Sequence, residues 1–185
     1  DNLYGANITI ITGQPSLDSL FFDVYSPVGD TVSKRPVVLV LPTGTFLPRG
    51  LFAPTGAKDD YANVQIATRL AQRGYTAISM DYRLGWNPVA PDDVTRRATI
   101  LQAAYRSIQD VYSMIRFLNM TVDDLGNPFQ VDTDKLTIFG VGTGGFVGFN
   151  MAVLDEPETE IYIPKFVDPV YGIPFIDTTL LGDLK

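Results

Sequence analysis

The chain has 185 residues, 45% hydrophobic and 19% charged, enough for one domain with a real core. Its net charge of −7 is the wrong sign for nucleic-acid phosphates or anionic lipid. It has no cysteine, which excludes disulfides, zinc–thiolate sites and thiol catalysis, and no histidine, which removes the commonest general base and metal ligand.

In chain order, residues 7–12 and 19–27 are rich in β-formers and separated by a Gly-Gln-Pro turn, which predicts a hairpin. Leu20, Phe22 and Val24 are expected on one face of its second strand, Asp23 and Tyr25 on the other. The continuous apolar run 36–42 reads as a strand buried on both faces. An irregular Gly/Pro loop follows. Asp59 and Asp60 open a helical pattern that Gly74 closes.

Residues 76–82 form a second buried strand. The segment 96–119 is the clearest helix, since Leu101, Ala104, Ile108, Val111, Ile115 and Leu118 fall on one stripe; Thr95 or Asp93 is its candidate N-cap. KLTIFG, 135–140, predicts a third buried strand, then glycines and a helix to about Leu154. Beyond it the chain is strand-like but broken by prolines, and 155–185 reads as an irregular tail of a single domain spanning 1–185. Apolar strands alternating with helices imply α/β class: a doubly wound, mostly parallel sheet with an N-terminal antiparallel hairpin. No apolar run is long enough for a transmembrane segment.

The glycine turn after KLTIFG fits two chemistries. Gly140, Gly142 and Gly145 match G-x-G-x-x-G, in which glycines let a pyrophosphate approach a helix N-terminus. A ribose-binding carboxylate should then end the next strand; Glu158, Glu160 and Asp168 are the candidates, none well placed. The same residues also fit the sharp strand-to-helix turn G-x-S-x-G, with Gly142 where the serine would stand.

The wider sequence favours the second. LFFDVYSP, RPVVLVLPTGTF, LAQRGYTAISMDYRLGW, SIQDVYSMIRFL and DTDKLTIFGVGTGGF occur in that order over residues 20–154. Together they resemble the carboxylesterase and esterase/lipase families of the α/β-hydrolase superfamily. The resemblance implies that Phe139-Gly140-Val141-Gly142-Thr143-Gly144-Gly145 stands for F-G-E-S-A-G-G, with glycine at the nucleophile position. It implies that Pro42-Thr43-Gly44-Thr45-Phe46 stands for the H-G-G-G-F loop of the oxyanion hole, keeping one central glycine and the Phe and losing the His. Gly44, Thr45 and Thr143 are the expected oxyanion-hole-like positions, since backbone N–H groups survive side-chain changes.

The superfamily's triad runs Ser, Asp or Glu, then His, and no histidine follows Gly142. Thr143 is the one substitute hydroxyl, set one position off the turn and without a base. The resemblance thus implies an incomplete, N-terminal portion of a hydrolase fold. Three functions remain: a catalytically inactive structural or binding subunit, its open sheet edge covered by another protein chain; an ester hydrolase completed outside this chain; or a dinucleotide binder. Outside the last, no cofactor or metal is implied. The composition and pattern suggest a secreted or cell-surface protein, and Asn7 and Asn119 sit in glycosylation sequons.

Two other groups of residues invite ligands. Asp59/Asp60, Asp92/Asp93, Asp123/Asp124 and Asp132/Asp134 carry oxygen ligands for calcium, although each pair also sits where aspartate favours a helix end or turn. Tyr82, Arg83 and Trp86 stand at the C-terminal end of a strand, where α/β sheets bind ligands. The structural alternative pairs Arg83 with a neighbour such as Asp81 and packs Trp86 beneath a loop. Phe46 and Phe52 read as core or chain contacts.

Overall fold

The computed structural model describes residues 1–29, 31–50 and 53–154, together with Tyr162, Pro164, Val167 and 169–173. Phe52, Glu158, Glu160, Asp168 and most of the tail lie outside the described residues. Strands β1 (Asn2–Ile11), β2 (Gln14–Tyr25), β3 (Arg35–Leu41), β4 (Thr76–Met80) and β5 (Val131–Gly140) form one sheet in the order β1-β2-β4-β3-β5. Helices α1 (Tyr61–Ala71), α2 (Asp93–Asp123) and α3 (Thr143–Val153) complete the α/β class.

The sheet is evenly mixed rather than mostly parallel. β2 pairs antiparallel with both β1 and β4, while β3 pairs parallel with β4 and β5. The hairpin is longer than its β-branched cores, because Gln14 and Pro15 belong to β2. Its turn is only Thr12-Gly13, both at positive φ (50° and 85°), the two-residue geometry that matches strand twist.

Residues 37, 39 and 41 of β3 face a large core with Phe22, Ile78, Met80 and the α2 stripe Ile108, Val111, Met114 and Leu118; Val147 of α3 joins it. Val38, Val40 and Ala77 face the other way, onto Ala67, Ile66 and Leu70 of α1. Phe22 is fully buried, its ring edge-on to Phe117 and Phe129 at 5.6 and 5.3 Å. Burial of a side chain this size contributes about 2–3 kcal/mol.

α2 starts earlier and ends later than its apolar stripe predicts. Its N-cap is Asp92, whose carboxylate accepts the Thr95 N–H at 2.7 Å, so neither Thr95 nor Asp93 caps it. It ends where Gly126 and Asn127 take positive φ and the Asn127 N–H returns to the Thr121 carbonyl.

β5 departs from expectation most. Its Leu136 and Ile138 pack on the main core, but Phe139, beside Val40 in register, is 44% exposed. The reason is coverage: among the described residues α1 lies over β3 and β4 and does not extend over that face of β5. Among the described residues β5 pairs only with β3.

Candidate functional site

Immediately after Gly140 the chain reverses into α3, and Gly142 sits at the bend with φ 55° and ψ −115°. That conformation is strained for any residue with a side chain. The reversal is tight because its flanking glycines touch backbone. A Cβ on Gly140 would lie 2.2 Å from the Gly144 carbonyl group, and one on Gly144 would lie 2.5 Å from the Leu41 oxygen. Backbone bonds hold the bend: the Val141 N–H donates to the Leu41 carbonyl at 3.3 Å, and the Gly144 N–H to the Val141 carbonyl at 2.9 Å. A strand, a sharp bend at positive φ and a helix are the parts of a nucleophile elbow. Here the residue at the bend, Gly142, is exposed and bears no side chain.

The loop after β3 lies against this bend. The Gly44 N–H donates to Thr143 Oγ1 at 3.1 Å, bringing together two positions far apart in sequence. Tyr82 Oη donates to the Pro42 carbonyl at 2.6 Å and stands 3.4 Å from Thr143 Oγ1; burial pushes the Tyr82 phenol up to about 12. Thr45, exposed and at φ 55°, turns its hydroxyl to the Gly44 carbonyl. Phe46 is buried between Tyr82 and Phe146, with ring centroids 6.4 and 6.2 Å away. The Trp86 indole N–H holds the Thr45 carbonyl at 2.9 Å, so this tryptophan braces the loop.

Sequence reasoning passed over Thr43. A Cβ built on Gly142 would lie 2.2 Å from Thr43 Oγ1 and 3.0 Å from Thr43 Cβ. The space above the apex is therefore filled from the opposite loop. The one signal in the sequence was a β-branched residue where the resembling loop motif has glycine.

Gly145, the third glycine of the cradle spacing, has the Gly140 oxygen 3.2 Å from its Cβ position, so it also serves helix-on-strand packing. The glycine that should open toward a pyrophosphate, Gly142, faces Thr43 instead.

The expected pairing of Arg83 with Asp81 does not form. Arg83 reaches Asp110, 27 residues on, with Nε 2.9 Å from both carboxylate oxygens and Nη2 2.8 Å from Oδ1. Its backbone N–H donates to the same carboxylate at 2.7 Å, and its remaining donors reach Ile8 O, Arg106 O and Gln109 Oε1. A local partner was the wrong guess because the strand-end loop faces α2, not its own strand. Arg83 thus ties β1 to α2.

The aspartate pairs are used locally. Asp59 and Asp60 meet Arg49, Asp60 also accepts the Gly56 and Ala57 N–H groups, and Asp132 meets Lys34 and Lys135. Among the described residues no three acidic groups converge as a metal site would need. No described helix is long and apolar enough to cross a membrane.

An open cleft of about 380 Å³ lies between the hairpin and residues 48, 49, 56 and 57, with Asp18, Asp81 and Tyr82 in its wall. Burial pushes the Asp81 carboxyl up to about 6, against the opposing Lys58 N–H at 2.8 Å, and raises Asp18 as well. An acid whose folded pKa exceeds its unfolded value favours folding while protonated, and that contribution is lost as pH rises through the folded pKa. Asp81 therefore lowers stability progressively between about pH 4 and 6, by about 2–3 kcal/mol in all. Asp23, Asp59, Asp92 and Asp132 are shifted the opposite way, so the raw pH profile mixes both signs. Comparison with Asp81→Asn isolates the contribution: equal melting at pH 4 and a higher-melting variant at pH 7.5 are expected. A variant less stable than the parent at both pH values would contradict it.

No protein-family model matches the chain, and no curated protein matches it. Among solved structures it is similar to esterase 2 of Thermogutta terrifontis phosphorylated by paraoxon, at 18% identity and TM-score 0.48 over 80% of this chain and 47% of that one. The butyrate-bound form of that esterase gives 17% identity and TM-score 0.49 over 93% and 50%. A bifunctional GH43-CE protein of Bacteroides eggerthii gives 22% and 0.45 over 68% and 13%. The chain spans about half the length of the esterase chains it matches.

Proposed function

We propose that this chain is an α/β-hydrolase-like protein without catalysis of its own, acting as a structural or binding subunit beside another protein chain. The observation that carries the reading is the elbow whose apex, Gly142, has the backbone conformation of a nucleophile position and no side chain. Acyl transfer needs a nucleophile and a proton acceptor, and within these 185 residues there is neither a hydroxyl at the apex nor any histidine. Thr143 does not replace the nucleophile: its hydroxyl accepts from the Gly44 N–H and lies beside a neutral phenol, not a base. That same bond occupies one N–H of the oxyanion-hole-like set Gly44, Thr45 and Thr143, so an anion there must compete with the Thr143 hydroxyl.

The subunit half of the reading rests on surface chemistry. Among the described residues the outer edge of β5 has no strand beside it, and Phe139, Phe146 and Phe149 nearby are 44%, 49% and 67% exposed. A second protein chain covering that edge removes both liabilities. An extracellular setting fits the cysteine-free, acidic composition and belongs to the same proposal.

The test is an activated-ester assay on the isolated chain, with native mass spectrometry of the chain captured gently from its source together with whatever it binds. Turnover at the rate of the uncatalysed control, with association in the mass spectrum, is expected. Saturable turnover would overturn the first half, and a chain captured with no other chain bound would overturn the second.

A further inference from the structure

Glycine at the apex is usually read as a missing hydroxyl, reversible by one substitution. The surroundings of Gly142 say otherwise. The direction in which a side chain would leave Gly142 is occupied by Thr43, with Oγ1 2.2 Å and Cβ 3.0 Å from the Cβ position. Rotating the threonine about its Cα–Cβ bond moves the hydroxyl but leaves Cβ where it is, at a separation that packed side chains avoid. Nor is the loop free to withdraw. The Pro42 carbonyl is held by Tyr82 at 2.6 Å, the Gly44 N–H by Thr143 at 3.1 Å and the Thr45 carbonyl by Trp86 at 2.9 Å.

Gly44 itself has no room to shift. A Cβ there would lie 2.7 Å from Thr55 O and from Gly56 Cα, so its backbone is already pressed onto the neighbouring loop.

We infer that Thr43 is a closing residue: its side chain fills the nucleophile's place from the facing loop, and positions 43 and 142 are sterically interlocked. The inference deepens the non-catalytic reading and rests on it for its functional meaning. It makes the loss of the nucleophile a two-site change. Gly142→Ser alone then forces a side chain into occupied space, before any question of a missing base. Thr43→Gly opens a small recess over the apex, bounded by the Thr143 hydroxyl and the start of α3.

The test is a melting-temperature cycle over the parent, Gly142→Ala, Thr43→Gly and the double variant, with Thr43→Ala and its Gly142→Ala double as intermediates. Positive φ penalises alanine at 142 in every background, so only the difference between backgrounds reports the contact. Beside Thr43, Gly142→Ala is expected to lower the melting temperature by about 5–10 °C. Beside glycine at 43 the drop should be less than half as large, and beside alanine intermediate.

If Gly142→Ala does not fold beside Thr43, the expected result is that the Thr43→Gly double variant does. Equal drops in all backgrounds, or failure to fold in all, would overturn the interlock. Ester turnover by the parent chain would sink the non-catalytic reading and leave this cycle unchanged, so the two failures are distinguishable.

Discussion

Asp110→Ala is expected to destabilise the protein by about 3–5 kcal/mol, among the largest losses that deleting one side chain can cause. The energy comes less from the lost attraction than from the charge left behind. Arg83 is 5% exposed, and without the carboxylate its guanidinium is a buried cation holding only carbonyl oxygens and Gln109. The Arg83 backbone N–H loses its acceptor as well. Arg106 stands nearby, its guanidinium pulled down to about 10 by burial and by Arg83, so removing Asp110 also leaves two cations facing each other.

Against a total stability of about 5–15 kcal/mol, such a loss removes a large share of the margin, and nearly all of it at the low end of that range. Urea denaturation checks it. A loss under about 1 kcal/mol would mean that water reaches the pair. Arg83→Met with Asp110→Leu should recover much of the loss, since a buried ion pair is worth little beyond a well-packed apolar pair.

The second large effect lies in the glycine turn, where backbone packs on backbone. Gly140→Ala is expected to cost more than about 3 kcal/mol, above the ordinary range for overpacking. Its Cβ would lie 2.2 Å from Gly144 C and O and 2.3 Å from Gly145 N, all backbone, so α3 must lift off β5. Gly145→Ala meets only the Gly140 carbonyl, its oxygen at 3.2 Å, and a loss below about 1 kcal/mol is expected. In a phosphate cradle, too, the first and third glycines serve the turn and the helix packing, and only the middle one makes room for the ligand. Thermal unfolding of the two variants without ligand tests the packing role. Equal and small losses would contradict the packing role.

How far the sequence could be read follows from how local each feature is. β3 and β4 were legible because a continuous apolar run has few other homes, and both are buried on two faces. β5 has a similar apolar core but an exposed Phe139, because burial there depends on which helix covers it and α1 does not reach. The body of α2 was legible from its stripe, whereas its start was not, since Asp92, Asp93 and Thr95 are all good caps and only geometry chooses between them.

Arg83 was legible as a structural residue and its partner was not, because Asp110 becomes its neighbour only once α2 packs on the loop. The sharp glycine turn at Gly142 was legible from the motif. What faces it was not: Thr43 and Gly142 meet across a contact that no spacing rule anticipates.

The central claim is that this chain carries the turn of a nucleophile without the nucleophile. It is tested most directly by exposing the purified chain to a fluorophosphonate and weighing it intact. An unchanged mass after long exposure is predicted, with an active serine hydrolase in the same tube fully labelled. A stoichiometric adduct on this chain, mapped to Thr143, Thr43 or any other hydroxyl, would contradict it.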